Sequence, residues 1–78
     1  HGLLTVGETA GESFMNMYYA VRMCEVAVQA QSSGLELKSV SKELWEKSQK
    51  QYNAFSLGPN EWPALLRRCD AVDPSYKE

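Results

Sequence analysis

The sequence predicts an α/β arrangement in which one short strand leads into three helices, with helix dominating the chain. Three observations predict it. Leu3-Leu4-Thr5-Val6 is an apolar run with β-branched residues, bounded by Gly2 and Gly7, as in a buried strand. From about 10 to 31, apolar side chains recur at helical spacing on two faces. Two more helical stretches, about 42–53 and 61–70, follow breaks rich in Ser, Gly and Pro.

The strand, at about 3–6, needs neighbours, because backbone N–H and C=O groups at its edges must be paired. No second run of comparable quality exists in the chain. Three partners stay open: a sheet made by residues outside the 78, another copy of the chain, or none, which leaves an extended arm.

Thr9-Ala10-Gly11-Glu12 has the form of a capping box and starts the first helix. Gly11 weakens that first turn by roughly 1 kcal/mol relative to Ala. Phe14, Met17, Val21, Cys24 and Val28 fall on one face, and Met15, Tyr19, Met23, Val26 and Ala30 on a second. A helix apolar on two sides is expected between two layers, a sheet and another helix or subunit. Gly34 suits the left-handed position after its end.

Leu35-Glu36-Leu37 alternates as an extended connector. Ser39 or Ser41 caps the second helix, where Glu43–Lys47 and Glu46–Lys50 stand at favourable spacing. With only Leu44, Trp45 and Tyr52 to anchor it, that helix reads as a surface element. Asn60 is the expected cap of the third helix, and Pro63 sits in its first turn, where a missing N–H is harmless. Val72-Asp73-Pro74-Ser75 reads as a terminating turn, and the tail beyond it as mobile unless docked.

Composition narrows the function classes. Seventy-eight residues make one small domain whose core is marginal without partners. A net charge of −2, with cations scattered apart from Arg67-Arg68, argues against a nucleic-acid partner. No run approaches the ~20 apolar residues that span a bilayer, so no membrane role is expected. Cys24 and Cys69, far apart and without a secretory signal, read as two reduced, packed thiols of a cytoplasmic protein. A disulfide between them stays open. A chain that begins with His and lacks an initiator Met suggests processing or a piece of a longer chain.

The segment from His1-Gly2-Leu3-Leu4-Thr5-Val6-Gly7 through Glu8-Thr9-Ala10-Gly11-Glu12-Ser13-Phe14 resembles the last strand and helix of the class II aldolase/adducin family. Met17-Tyr18-Tyr19 and the run from Arg22 to Ala30 continue the likeness. The tail from Trp62 to Lys77 resembles the adducin-like branch. The resemblance covers nearly the whole chain but only about the last third of a family domain. It implies that residues 1–78 are the C-terminal segment of a single α/β/α domain. It implies a lyase that acts on a small hydroxy-carbonyl substrate through a metal-stabilised enediolate. The cofactor implied is a divalent metal, most simply zinc, and the assembly implied is a homo-oligomer, a tetramer in the family. The alternatives are a non-catalytic, adducin-like oligomerisation or binding module, and a small helical protein that associates through its doubly apolar helix and resembles the family by chance.

His1 is the only imidazole. By spacing alone it is more often a solvated or structural residue than a ligand, since metal sites show clustered donors. The resemblance places it at one of three metal-holding imidazoles. The other two, and the family's acidic catalytic residue, have no counterpart in these residues. One imidazole does not build a catalytic site, so the isolated chain is expected to be inert. Its role further requires an inward-pointing ring at the mouth of a sheet.

Gly2 lets the backbone pass close to such a site or simply makes a turn. Tyr18, Tyr19, Tyr52 and Tyr76 are candidate proton donors; the resemblance, which implies a C-terminal tyrosine in that part, points to Tyr76, although Asp73-Pro74-Ser75-Tyr76 does not match the family's aldolase pattern. Tyr18 and Tyr19 read as core or interface residues, with Tyr52 a further phenol. Met15, Met17 and Met23 read as core filler, Arg67-Arg68 as an exposed cationic helix end, and Glu25 as a partner of Arg22.

Overall fold

The computed structural model describes the whole chain, His1–Glu78, and it is all-helical. Helix α1 runs Ala10–Ser32, α2 Lys42–Asn53 and α3 Glu61–Val72, and a 3-10 turn follows at Pro74–Lys77. There is no strand and no sheet, which corrects the expected α/β class. The chain forms two compact units, one of His1–Met17 with Leu57–Glu78, the other of Tyr18–Ser56.

In the first unit, the expected strand is an arm laid along the start of α1. The helix's own side chains take the places a neighbouring strand would fill. Thr5 Oγ1 donates to the Ser13 carbonyl at 2.9 Å, and Ser13 Oγ donates to the Thr5 carbonyl at 3.2 Å. Asn16 Nδ2 donates to the Val6 carbonyl at 3.1 Å. With carbonyls satisfied this way the arm needs no sheet. It is also not buried: Leu4 is 89% exposed and Val6 76%.

Half of the capping box forms. The Glu12 amide donates to Thr9 Oγ1 at 3.1 Å, whereas the Glu12 carboxylate accepts from the Glu8 amide at 2.9 Å rather than from Thr9.

The core of this unit is a close approach of backbone to backbone. Gly11, Met15 and Gly58 are its buried residues. Gly58 has φ +106°, and a Cβ there would lie 2.8 Å from the Gly11 carbonyl carbon. A Cβ on Gly11 would in turn meet Trp62 Cβ at 2.9 Å. Beside this contact the Phe14 and Trp62 rings pack with centroids 5.9 Å apart at 59°.

Residues 57–60 thus serve as a platform and not merely as a helix breaker. Helix α3 leaves this platform through its backbone, with the Trp62 amide on the Gly58 carbonyl at 2.8 Å. The Glu61 carboxylate accepts from the Gly58 amide at 2.9 Å. Asn60 occupies the cap position in helical geometry (φ −91°, ψ −40°) and makes no side-chain cap bond, which corrects the expected Asn60 cap.

The second unit contains the rest of α1, a connector and α2. Ser41 caps α2, accepting from the Leu44 amide at 3.2 Å. The ion pair on α2 is Lys42–Glu46 at 3.8 Å, one register earlier than the pairs expected from spacing. Tyr18 and Tyr19 meet edge to face at 5.6 Å, and Tyr19 meets Tyr52 at 6.4 Å. Arg22 pairs with Glu25 at 3.2 Å, as expected, and its guanidinium lies 5.1 Å from the Tyr18 ring centroid.

Beyond Tyr19 the two apolar faces of α1 are open. Val21, Met23, Val26 and Val28 are all exposed, with Ala30 half-buried. The expected burial of this helix between two layers is not seen within the chain. Cys24 and Cys69 are free and exposed, so neither is the packed thiol expected.

Candidate functional site

The most convergent polar contacts lie at the C-terminal end of α3. Asp73 stops the helix by turning extended (φ −161°, ψ 104°), with its amide still on the Cys69 carbonyl at 2.8 Å. Its carboxylate accepts from the Ser75 amide at 2.9 Å, and Pro74, which has no N–H to lose, opens the 3-10 turn. The turn returns the chain toward α3. There Tyr76 Oη donates to Asp70 Oδ1 at 2.5 Å, and Lys77 Nζ reaches the same oxygen at 2.8 Å. The ammonium also lies 5.9 Å from the Tyr76 ring centroid.

These contacts set the local acid–base chemistry. Lys77 first, and then the Tyr76 hydroxyl, hold the Asp70 carboxyl below the ordinary carboxylate range. The Ser75 amide does the same for Asp73. The hydrogen bond to Asp70 pushes the Tyr76 phenol up to about 12. A phenol that binds its proton this tightly is a weak acid at neutral pH, so Tyr76 keeps its proton and uses it as a hydrogen-bond donor to the Asp70 carboxylate.

Next to the turn lies an open groove of about 460 Å³. Leu65, Arg68, Cys69 and Val72 of α3 form one side and Asp73 and Tyr76 the other. Sequence reasoning missed Asp70 and Lys77. The available signal was Asp73-Pro74-Ser75, an Asp that binds the backbone two residues on and reverses the chain.

His1 is exposed at the start of the arm, with no sheet mouth to point into, and Gly2 beside it has φ +118° with open space around it. None of the hydrogen bonds or ring contacts joins His1 to Tyr76. No three His, Cys, Asp or Glu side chains lie close enough together to hold a metal ion. The residues of this chain by themselves therefore do not fit a divalent-metal site. Tyr18, Tyr19 and Tyr52 meet edge to face in the second unit, where a shallow groove of about 320 Å³ is lined by Tyr19, Arg22, Met23, Val26 and Ala27. No helix is long and apolar enough to cross a membrane.

Comparison with known proteins finds relatives that match the whole of this chain. A Pseudomonas aeruginosa protein named as an aldolase class 2 protein is 34% identical over 84 residues, covering 100% of this chain and 32% of the relative. A Caulobacter vibrioides protein of the same name is 30% identical over 81 residues, with 100% and 32% covered. No family model matches the chain, and no solved structure gives a significant match. The two matches support a class II aldolase family relationship for the chain. It spans about a third of the length of these relatives.

Proposed function

We propose that residues 1–78 are the C-terminal segment of a class II aldolase-like domain and that the whole protein is a lyase acting on a small hydroxy-carbonyl substrate. The observation that carries this reading is the match of the entire chain to two relatives with class 2 aldolase names. Class II aldolases are generally dependent on a divalent metal. These residues offer such an ion at most one imidazole, that of His1, so any site must draw its other ligands from elsewhere. Tyr76 is the one phenol of the first unit and serves as a proton donor only after Asp70 releases its hydroxyl.

The proposal includes a homo-oligomer, supported by the open apolar faces of α1 around Val21, Met23, Val26 and Val28.

Metal analysis of the full-length protein tests the reading. Stoichiometric divalent metal that is lost on His1→Ala, together with cleavage of a hydroxy-carbonyl substrate, supports it. Protein free of metal and inactive on such substrates overturns it in favour of a non-catalytic, adducin-like binding module. Sedimentation as a monomer at micromolar concentration would remove the oligomer from the proposal.

A further inference from the structure

The C-terminal turn carries two side-chain ties to α3, of which the aldolase reading invokes only the one through Tyr76. Its two anchoring side chains, Tyr76 and Lys77, are consecutive, and both end on one atom, Oδ1 of Asp70. The Asp73–Ser75 bond lies within the turn and shapes it without tying it back to the body of α3. The groove beside it has one side from α3 and the other from Asp73 and Tyr76.

We propose that Pro74–Lys77 is a strap that opens as a single event, and that the groove it walls exists only while the strap is closed. Two donors on one carboxylate oxygen depend on the same charge, so both bonds are strong while Asp70 is ionised and both weaken when it is not. The groups facing Asp70 are Lys77 and Tyr76 from the strap. Arg68 and Asp73 line the groove alongside, and the Cys69 thiol acts on the Tyr76 phenol. The Asp70 and Lys77 side chains are 39% and 57% exposed, so water competes for the contact. The strap therefore opens locally and leaves α3 folded. Opening bares the half-buried Leu65, while Val72 and Cys69 are exposed even with the strap closed.

NMR of the intact chain reads strap opening through the contacts of the Tyr76 ring and of Lys77 with α3. Both sets are expected to vanish together at one acid midpoint, and to be lost at neutral pH in Asp70→Asn. Tyr76→Phe is expected to loosen the Lys77 contacts, and Lys77→Met those of the Tyr76 ring. If a variant loses helicity by circular dichroism, the acid titration of the unsubstituted chain decides instead. Separate midpoints, contacts that persist in acid or in Asp70→Asn, or one anchor held unchanged when the other is removed, overturn the strap.

Discussion

Gly11 and Gly58 touch through their backbones: a Cβ built on Gly58 would stand 2.8 Å from both the Gly11 carbonyl carbon and the Glu12 amide nitrogen. Neither obstacle is the far end of a flexible side chain, so an added methyl is accommodated only by moving α1 away. Gly58 also holds φ +106°, where an L side chain is strained. Gly58→Ala should therefore cost roughly 2–4 kcal/mol, strain and overpacking together. Gly11→Ala should destabilise too, against the intrinsic helix preference for Ala, because its Cβ would meet Trp62 Cβ at 2.9 Å. Urea unfolding followed by Trp62 fluorescence, with Trp45→Phe to remove the second indole, measures both. A Gly11→Ala chain more stable than the parent would refute the contact.

The arm is held by the reciprocal pair Thr5 and Ser13 and by Asn16 on Val6. Ser13→Ala removes the hydroxyl that serves the Thr5 carbonyl and should cost about 0.5–1.5 kcal/mol. Thr5→Val keeps the branched shape and loses the bond to the Ser13 carbonyl, with a loss of similar size. Loss of the NMR contacts that residues 5 and 6 make with Ser13 and Asn16, while α3 keeps its own, is the expected pattern in both variants. Contacts left unchanged by either substitution would mean that the arm is held by something else.

The two helix starts after α1 differ in kind. Ser41 accepts from the Leu44 amide, whereas Asn60 makes no side-chain cap bond and α3 begins on the Gly58 carbonyl and the Glu61 carboxylate. Ser41→Ala should weaken α2 by about 1 kcal/mol. Asn60→Ala should stay within about 0.5 kcal/mol of the parent, while Glu61→Gln, which removes charge from the acceptor, should cost more. Helicity by circular dichroism across a thermal melt ranks the three. An Asn60→Ala loss as large as that of Ser41→Ala would contradict the geometry.

What the sequence revealed follows how local each determinant is. The bounds of α1 were legible because both ends carry short-range signals, Thr9 with Glu12 at one and Gly34, with φ +72°, at the other. Leu3–Val6 has the composition of a strand, but strand status depends on a neighbour, and four residues say nothing about one. Here Ser13 and Asn16 supplied the partners, and the run became an arm. Gly58 was readable as a breaker before Pro59, yet its contact with Gly11 joins distant parts of the chain and leaves no periodic trace. A glycine retained in the first turn of α1, where Ala is preferred, was the available hint. The candidate site divides in the same way: Tyr76 was readable as a phenol in the tail, while its tie to Asp70 depends on how Asp73 and Pro74 reverse the backbone. His1 drew attention through a resemblance, and no other donor is clustered with it.

The strap should be stable across neutral pH and fail at both extremes. Asp70 and Asp73 have folded-state values below the ordinary carboxylate value of 3.8. Their contribution is complete above that ordinary value and is lost as pH falls through the depressed ones. Tyr76 behaves oppositely. Its phenol is raised from 10.0 to about 12, so its contribution is complete below 10.0 and is lost as pH rises from there through about 12. Spectrophotometric titration of phenolate absorbance should show a late step near 12 that Tyr76→Phe abolishes and Asp70→Asn shifts down toward 10.0. High salt should act mainly through the exposed Lys77–Asp70 pair and leave the late step above 10.0, because the Tyr76 hydrogen bond is short and direct. If Tyr76→Phe leaves every titration step in place, the phenol does not donate to Asp70 in solution and the strap loses its aromatic anchor.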